Sequence, residues 1–357
     1  VIIDTLHPIH EGRVFPWWRD EERAMIEYGR LAANTDAQEN WRRSPFFQML
    51  ETGSTRLRRK LADGDPADFP VLVELRDRGH TDYVACINRF ADAGSLGEMD
   101  CLYSSWASDA PGGFTDDEAD LLCRFVPQLA LAVKCSSLLR ITGTLVETYL
   151  GRDAGRRVLQ GRIMRGVADQ VRSVLWYSDL RSFTQITNTA APEQIIPFLN
   201  DYADATISTI HETGGDVLKL MGDGILAIFP AEDPGEACRA ALDAEALLRR
   251  RIAELNHKRV AEGLPVTDAY VGLHLGDVFF GNIGSQDRLD FTVIGPAVNM
   301  ASRISAMCRL LERNVLLSSA FLAATPERLC TDIVSVGRHA LRGFDGREEL
   351  FTIDSPA

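Results

Sequence analysis

Val217-Leu218-Lys219-Leu220-Met221-Gly222-Asp223-Gly224-Ile225-Leu226-Ala227-Ile228-Phe229 is two apolar runs joined by Gly-Asp-Gly. Strand formers on both sides of so short a junction predict a β-hairpin. Its tip presents Asp223 on backbone that a ligand can approach closely. A Gly-flanked aspartate standing alone is ordinarily just a turn residue, so the flanking segments decide what this one means. Upstream, Val174-Leu175-Trp176-Tyr177 reads as a buried strand ending at Ser178, which delivers Asp179 to its exit. Downstream, strands near 269–275, 277–283 and 289–294 lead into Pro296-Ala297-Val298-Asn299-Met300-Ala301-Ser302-Arg303-Ile304. This last segment is rich in helix formers, with proline in a first-turn position. Asn299 and Arg303, four residues apart, project from one face of that helix toward a common ligand. A strand near 173–178, a helical stretch near 236–256 and short strands near 314–318 and 350–353 complete the pattern. It predicts an α+β fold, a mixed sheet with helices on one face.

Taken in order, three segments resemble the class III nucleotide cyclases, the adenylate and guanylate cyclase family. They are Tyr177-Ser178-Asp179-Leu180-Arg181-Ser182-Phe183-Thr184, Lys219-Leu220-Met221-Gly222-Asp223-Gly224, and Asp290-Phe291-Thr292-Val293-Ile294-Gly295 running on to Asn299 and Arg303. The resemblance covers residues 171–357 and implies a ferredoxin-like palm. It implies a metal site at Asp179, Leu180 and Asp223 for two Mg²⁺ ions, with Mn²⁺ as a possible substitute. Such a pair, roughly 3.5–4 Å apart, suits in-line attack of a ribose 3′-hydroxyl on an α-phosphorus. Asn299 would orient the ribose, and Arg303 would stabilise charge on the pentacovalent phosphorus. Lys219 and Thr292 would read the purine: a lysine donates to adenine N1, and a threonine hydroxyl accepts from the exocyclic amine. That pairing favours ATP over GTP and resembles the class IIIb subgroup. Arg342, in Leu341-Arg342-Gly343-Phe344, would hold the terminal phosphates. Tyr270 and Pro296 depart from the family pattern and bear on the phosphate contacts. Family sites lie between two cyclase domains, so one such domain per chain implies a homodimer with shared sites. The expectation is an adenylate cyclase making 3′,5′-cyclic AMP and pyrophosphate. The alternatives are a guanylate cyclase and a non-catalytic nucleotide-binding sensor. Gly214-Gly215-Asp216-Val217 superficially resembles a diguanylate cyclase signature, but Lys219 and Gly222-Asp223-Gly224 do not fit it. His274, after an apolar strand, reads as a structural histidine rather than a base.

The 357 residues suffice for two domains with sizeable cores. A net charge of −13 argues against a nucleic-acid or anionic-membrane partner, so positive charge is expected locally, in a cleft. Seven scattered cysteines without a Cys-x-x-Cys pair read as reduced and mostly buried, which suits the cytoplasm. The apolar run from Leu121 to Val133 is broken by Arg124 and Pro127, so no stretch is expected to approach the ~20 residues of a membrane span.

Ahead of the cyclase-like part, Thr115-Asp116-Asp117-Glu118 is a capping box opening a helix that Pro127 should kink or interrupt. With the strand-like Cys101-Leu102-Tyr103-Ser104-Ser105-Trp106 before it, this helix resembles the end of a GAF-type domain. Residues 1–135 are therefore expected to be a GAF-like α/β sensor for an unknown small-molecule effector. The part from Pro16 to Lys60 reads as mostly helical, and Trp17, Trp18 and Trp106 are candidate pocket residues. Residues 136–170 read as a helical transducing linker. In it, Leu138, Ile141 and Leu145 form a seam suited to a parallel helix pair between protomers, and glycines bend the chain after Leu150.

Overall fold

The computed structural model describes residues 2–4, 10–16, 26–29, 35–62, 67–90, 101–164, 166, 168–285 and 287–354. They form two compact units divided between Leu145 and Val146.

The first unit contains β1 (Ile2–Asp4), β2 (His10–Val14), β3 (Ile26–Gly29), α1 (Thr35–Arg42), α2 (Pro45–Thr52) and β4 (Arg56–Lys60). It continues through α3 (Pro70–Asp77), β5 (Asp82–Arg89), β6 (Cys101–Ser108) and most of α4 (Asp116–Leu150). Its strands form an antiparallel sheet in the order β3-β2-β1-β6-β5-β4. One face packs Tyr83, Ala85, Ile87 and Tyr103 on Phe46, Met49 and Leu72 of α2 and α3. The other packs Val84, Cys86 and Leu102 on Ala119, Val126 and Ala130 of α4.

Between Pro16 and Lys60, expected to be mostly helical, the described residues hold α1 and α2 but also the strands β3 and β4. The charged string Arg56-Leu57-Arg58-Arg59-Lys60 is an outer strand because its guanidiniums have acids to meet. Arg58 bonds the fully buried Asp82 at 2.7 Å and Asp116 at 2.7 Å, and Arg56 bonds Asp120 at 2.6 Å. The buried carboxylate is also held by the Phe114 amide at 3.0 Å, so its charge is paired and solvated by protein. Trp17 and Trp18 lie outside the described residues. Trp106 is half-buried against the α4 face and donates to Ser104 Oγ at 3.3 Å.

The capping box forms as read: Thr115 Oγ1 accepts from the Glu118 amide at 3.2 Å, and Glu118 accepts from the Thr115 amide at 2.8 Å. The helix it opens runs unbroken through Pro127 for 35 residues. By length and composition it is apolar enough to cross a membrane, which corrects the expectation that no stretch approaches that length. The seam expected to pair protomers is turned inward instead. Ile141 is 2% exposed and packs with Phe15, Phe90, Val133, Leu138 and Leu145. Leu121, Phe125, Leu131, Leu139 and Tyr149 are the exposed apolar side chains of α4.

The second unit contains α5 (Arg152–Leu159), β7 (Ala168–Leu180), α6 (Phe183–Thr189), α7 (Pro192–Glu212), β8 (Asp216–Met221), β9 (Gly224–Pro230) and α8 (Pro234–Ala261). There follow β10 (Ala269–Gly284), β11 (Leu289–Ile294), α9 (Pro296–Leu311), β12 (Val315–Ser318), α10 (Ser319–Ala324), β13 (Ile333–Ala340) and β14 (Arg347–Ile353). The sheet order is β13-β14-β12-β10-β7-β9-β8, with β11 on the far half of β10. It is mixed, since β12 runs parallel to β10 while the other pairs are antiparallel.

Helices cover both faces of this sheet, not one. Val174 and Trp176 face α7 and α8, while Leu175 faces Ala154 of α5 and Ala297 and Ala301 of α9. All three β7 residues are fully buried, as a strand covered on both sides must be. The two strands expected at 269–275 and 277–283 are one continuous β10. Its first half pairs β12, and its second half pairs β11 as an arm. The arm returns over the sheet, seating Val278, Phe280, Phe291 and Val293 with Leu218, Leu226 and Ile228. At the entrance to the unit Gly151 has φ +89°, and a Cβ there would lie 2.5 Å from Val217 O. This glycine bends the chain between α4 and α5, as expected.

Candidate active site

β7 continues two residues beyond the expected end at Ser178, so Asp179 lies inside the strand, opposite Tyr270 of β10. Strand alternation puts it on the face of Leu175 and Tyr177, the face that α9 and the β10–β11 arm cover. The β8–β9 turn is the expected hairpin, with Gly222 at φ +68°. Its tip carries Asp223 back beside Asp179, and the two carboxyls are within hydrogen-bonding reach. The return strand starts at Gly224, whose missing Cβ would lie 3.7 Å from Asp179 Oδ1 and 3.3 Å from Met221 O.

Burial first, then the neighbouring Asp223, push the Asp179 pKa up to about 7, while the Leu180 amide donating to its carboxylate acts the other way. Two half-buried carboxylates side by side repel, and a cation between them removes that repulsion. The donors are hard oxygens, the chemistry that Mg²⁺ and Mn²⁺ prefer. Among the described residues no group of three or more His, Cys, Asp or Glu converges as a cation site. Two carboxylates alone fit Mg²⁺ completed by phosphates and water.

Lys219 reaches the covered face through a β-bulge between Val217 and Lys219, which places it across from Leu226. There its ammonium pairs with Asp290 of β11. Thr292, half-buried, is two residues further along the same face of that strand, since Phe291 and Val293 point into the core. Lys219 is thus paired with Asp290, two residues before Thr292 on β11, a residue that the sequence analysis quoted at the head of its segment without giving it a role. Its signal was its i, i+2 spacing to Thr292.

α9 buries Ala297, Ala301, Ile304, Ser305 and Cys308 and leaves Asn299 and Arg303 exposed on the opposite side. Neither makes a hydrogen bond or ion pair with another described residue, so both are free to meet a ligand. Arg342 is exposed in the turn between β13 and β14 and is likewise unpaired among the described residues. Its neighbour Leu341 is buried with Ile304, Cys308 and Leu316, and Tyr270 packs there too. The structure brings together Asp179 with Asp223, and Lys219 with the strand bearing Thr292. Asn299 and Arg303 share one helix face, and Arg342 stands on a separate loop.

His274 is half-buried and satisfied, as expected of a structural histidine: its Nδ1 is 2.8 Å from Ser318 Oγ, and desolvation pushes its pKa down to about 4.

A model of the adenylate and guanylate cyclase catalytic domain matches residues 168–354. The adenylate cyclase of Anabaena cylindrica is 35% identical over 159 residues, covering 43% of this chain and 31% of that protein. Adenylate cyclase 1 of Rhizobium meliloti (strain 1021) is 31% identical over 163 residues, covering 44% of this chain and 23% of that protein. The match therefore spans less than a third of either relative. A solved bacterial light-regulated adenylyl cyclase has the same fold over 65% of each chain, with TM-score 0.55 at 23% identity.

Proposed function

Because the chain belongs to the family of adenylate and guanylate cyclase catalytic domains, we propose that it converts ATP to 3′,5′-cyclic AMP and pyrophosphate. The observation that carries this reading is the apposition of Asp179 and Asp223 on the covered face of the sheet. In the reaction the ribose 3′-oxygen bonds to the α-phosphorus. The bond from that phosphorus to the bridging oxygen breaks, and pyrophosphate leaves with its electron pair. A divalent cation pair held at Asp179, Leu180 and Asp223 would supply charge neutralisation and a more acidic 3′-hydroxyl. Asn299 orients the ribose, and Arg303, paired with no carboxylate among the described residues, stabilises the charge that grows on the phosphoryl oxygens. Arg342 holds the terminal phosphates. Lys219, steadied by Asp290, offers its remaining N–H groups to adenine N1, and Thr292 accepts from the exocyclic amine.

We further propose a homodimer in which one protomer supplies the carboxylates and its partner the purine, ribose and arginine contacts. In this reading residues 1–135 are a GAF-like sensor for a small molecule, 136–170 a transducing linker, and 171–357 the catalytic domain, all in the cytoplasm. An antiparallel sheet with helices on both faces in the first unit supports the sensor reading.

The test is product formation by the purified chain, with ATP and GTP assayed separately in excess Mg²⁺ and then Mn²⁺. Cyclic AMP should dominate and fall at least ~10²-fold in Asp223→Ala. Cyclic GMP as the main product would overturn the assignment of Lys219 and Thr292. Absence of product from both nucleotides would point to a missing activator of the N-terminal unit or to a non-catalytic nucleotide-binding sensor.

A further inference from the structure

Cys86 on β5 and Cys123 on α4 are 37 positions apart, and the fold sets their sulfurs 3.4 Å apart as free thiols. Cys86 is buried at 3% exposure, and Cys123 is half-buried at the edge of the same cluster. Arg56 stands directly opposite Cys86 in the β4–β5 ladder, and its guanidinium is near enough to act electrostatically on both sulfurs. Asp120, one turn before Cys123, pairs with that arginine and fixes the helix over the strand at this level. A disulfide requires sulfurs about 2.05 Å apart. The two sulfurs need to close only about 1.4 Å.

We infer that Cys86 and Cys123 are a reversible dithiol–disulfide pair, oxidised by a peroxide, that fastens α4 to β5.

The two sulfurs have different parts. Cys123 is the more accessible of the two. Its sulfur attacks one peroxide oxygen, giving a sulfenic acid while the other oxygen leaves as water. The Cys86 sulfur then attacks the sulfenic sulfur, the S–S bond forms, and a second water is lost. The two thiols give up two electrons and the peroxide accepts them. Burial pushes the Cys86 thiol up to about 12, which keeps it protonated until a sulfenic partner forms against it. Cys135, exposed further along α4, has no such partner and serves as the internal control.

The experiment uses the full-length chain, reduced, freed of reductant and exposed to a few equivalents of hydrogen peroxide. Alkylation and peptide mass mapping then follow. The expected result is a linked Cys86–Cys123 peptide, two thiols fewer, and recovery of both with dithiothreitol. Hydrogen exchange in the first turns of α4 should be slower in the oxidised chain. Cys135→Ser should retain the link, and Cys123→Ser should leave Cys86 open to alkylation after unfolding. Finding Cys86 unmodified while Cys123 goes on to sulfinate, or while Cys135 alone is oxidised, would overturn the inference. The mapping on the unsubstituted chain decides the matter even where a serine variant fails to fold.

Discussion

His274 and Ser318 meet at 2.8 Å inside the second unit, and the imidazole there is kept neutral by burial. Its folded pKa of about 4 lies below the unfolded value of 6.5, so the unfolded chain takes up this proton first as pH falls. The stability it supports is full above pH 6.5 and is lost progressively down to about pH 4. At pH 5 the loss from this one group is about 2 kcal/mol. Denaturant titrations at pH 7 and pH 5 should show it, and His274→Asn should flatten the difference. An equally steep loss in the variant would assign the pH dependence to other groups. The same residue marks how far reasoning from sequence reaches. An apolar strand before it and Gly276 after it sufficed to read it as structural, because burial follows from the pattern around it. Asp290 was not legible in that way, since its partner Lys219 arrives from another strand through a bulge that no local pattern announces.

At the level of elements, α9 owes its close seat to the glycines Gly272 and Gly276 of β10. A Cβ on Gly272 of β10 would lie 2.5 Å from Ser305 N and 2.7 Å from Ala301 O. Both are backbone atoms of α9, which have no rotamer with which to move aside. Gly272→Ala should therefore cost about 3 kcal/mol, at the upper end of overpacking. Calorimetry should show the melting of the second unit lowered by several degrees, and cyclase activity should fall as Asn299 and Arg303 are displaced. An unchanged transition would mean that the helix lifts freely. Elements with strong local signals were legible: the capped start of α4, the hairpin at Asp223, and the proline-led α9. Those that depend on remote partners were not. β4 is a strand because Asp82, Asp116 and Asp120 receive its arginines. β13, with its bulge and alternating exposure, pairs only with β14 and carries little apolar signal of its own. The seam of Leu138, Ile141 and Leu145 was read correctly as apolar but assigned to the wrong partner, since periodicity tells which face is buried and not by what.

For the molecule as a whole, the proposed homodimer makes a sharp demand. Asp179→Ala and Arg303→Ala chains, each inactive alone, should regain activity when mixed, up to about a quarter of the native level. That figure assumes random pairing, with half the dimers mixed and one intact site in each. Mixtures no more active than either variant would show that each protomer carries a whole site. The proposed metal site at the carboxylate pair has a further consequence at this scale, because cation loading and proton binding would compete for Asp179. With its pKa near 7, most of one proton is resident at pH 6.5 and must leave when Mg²⁺ or Mn²⁺ binds. The observed heat of titration with Mn²⁺ should then change with the ionisation enthalpy of the buffer at pH 6.5, and lose that dependence near pH 8.5. The slope against buffer enthalpy counts the protons released.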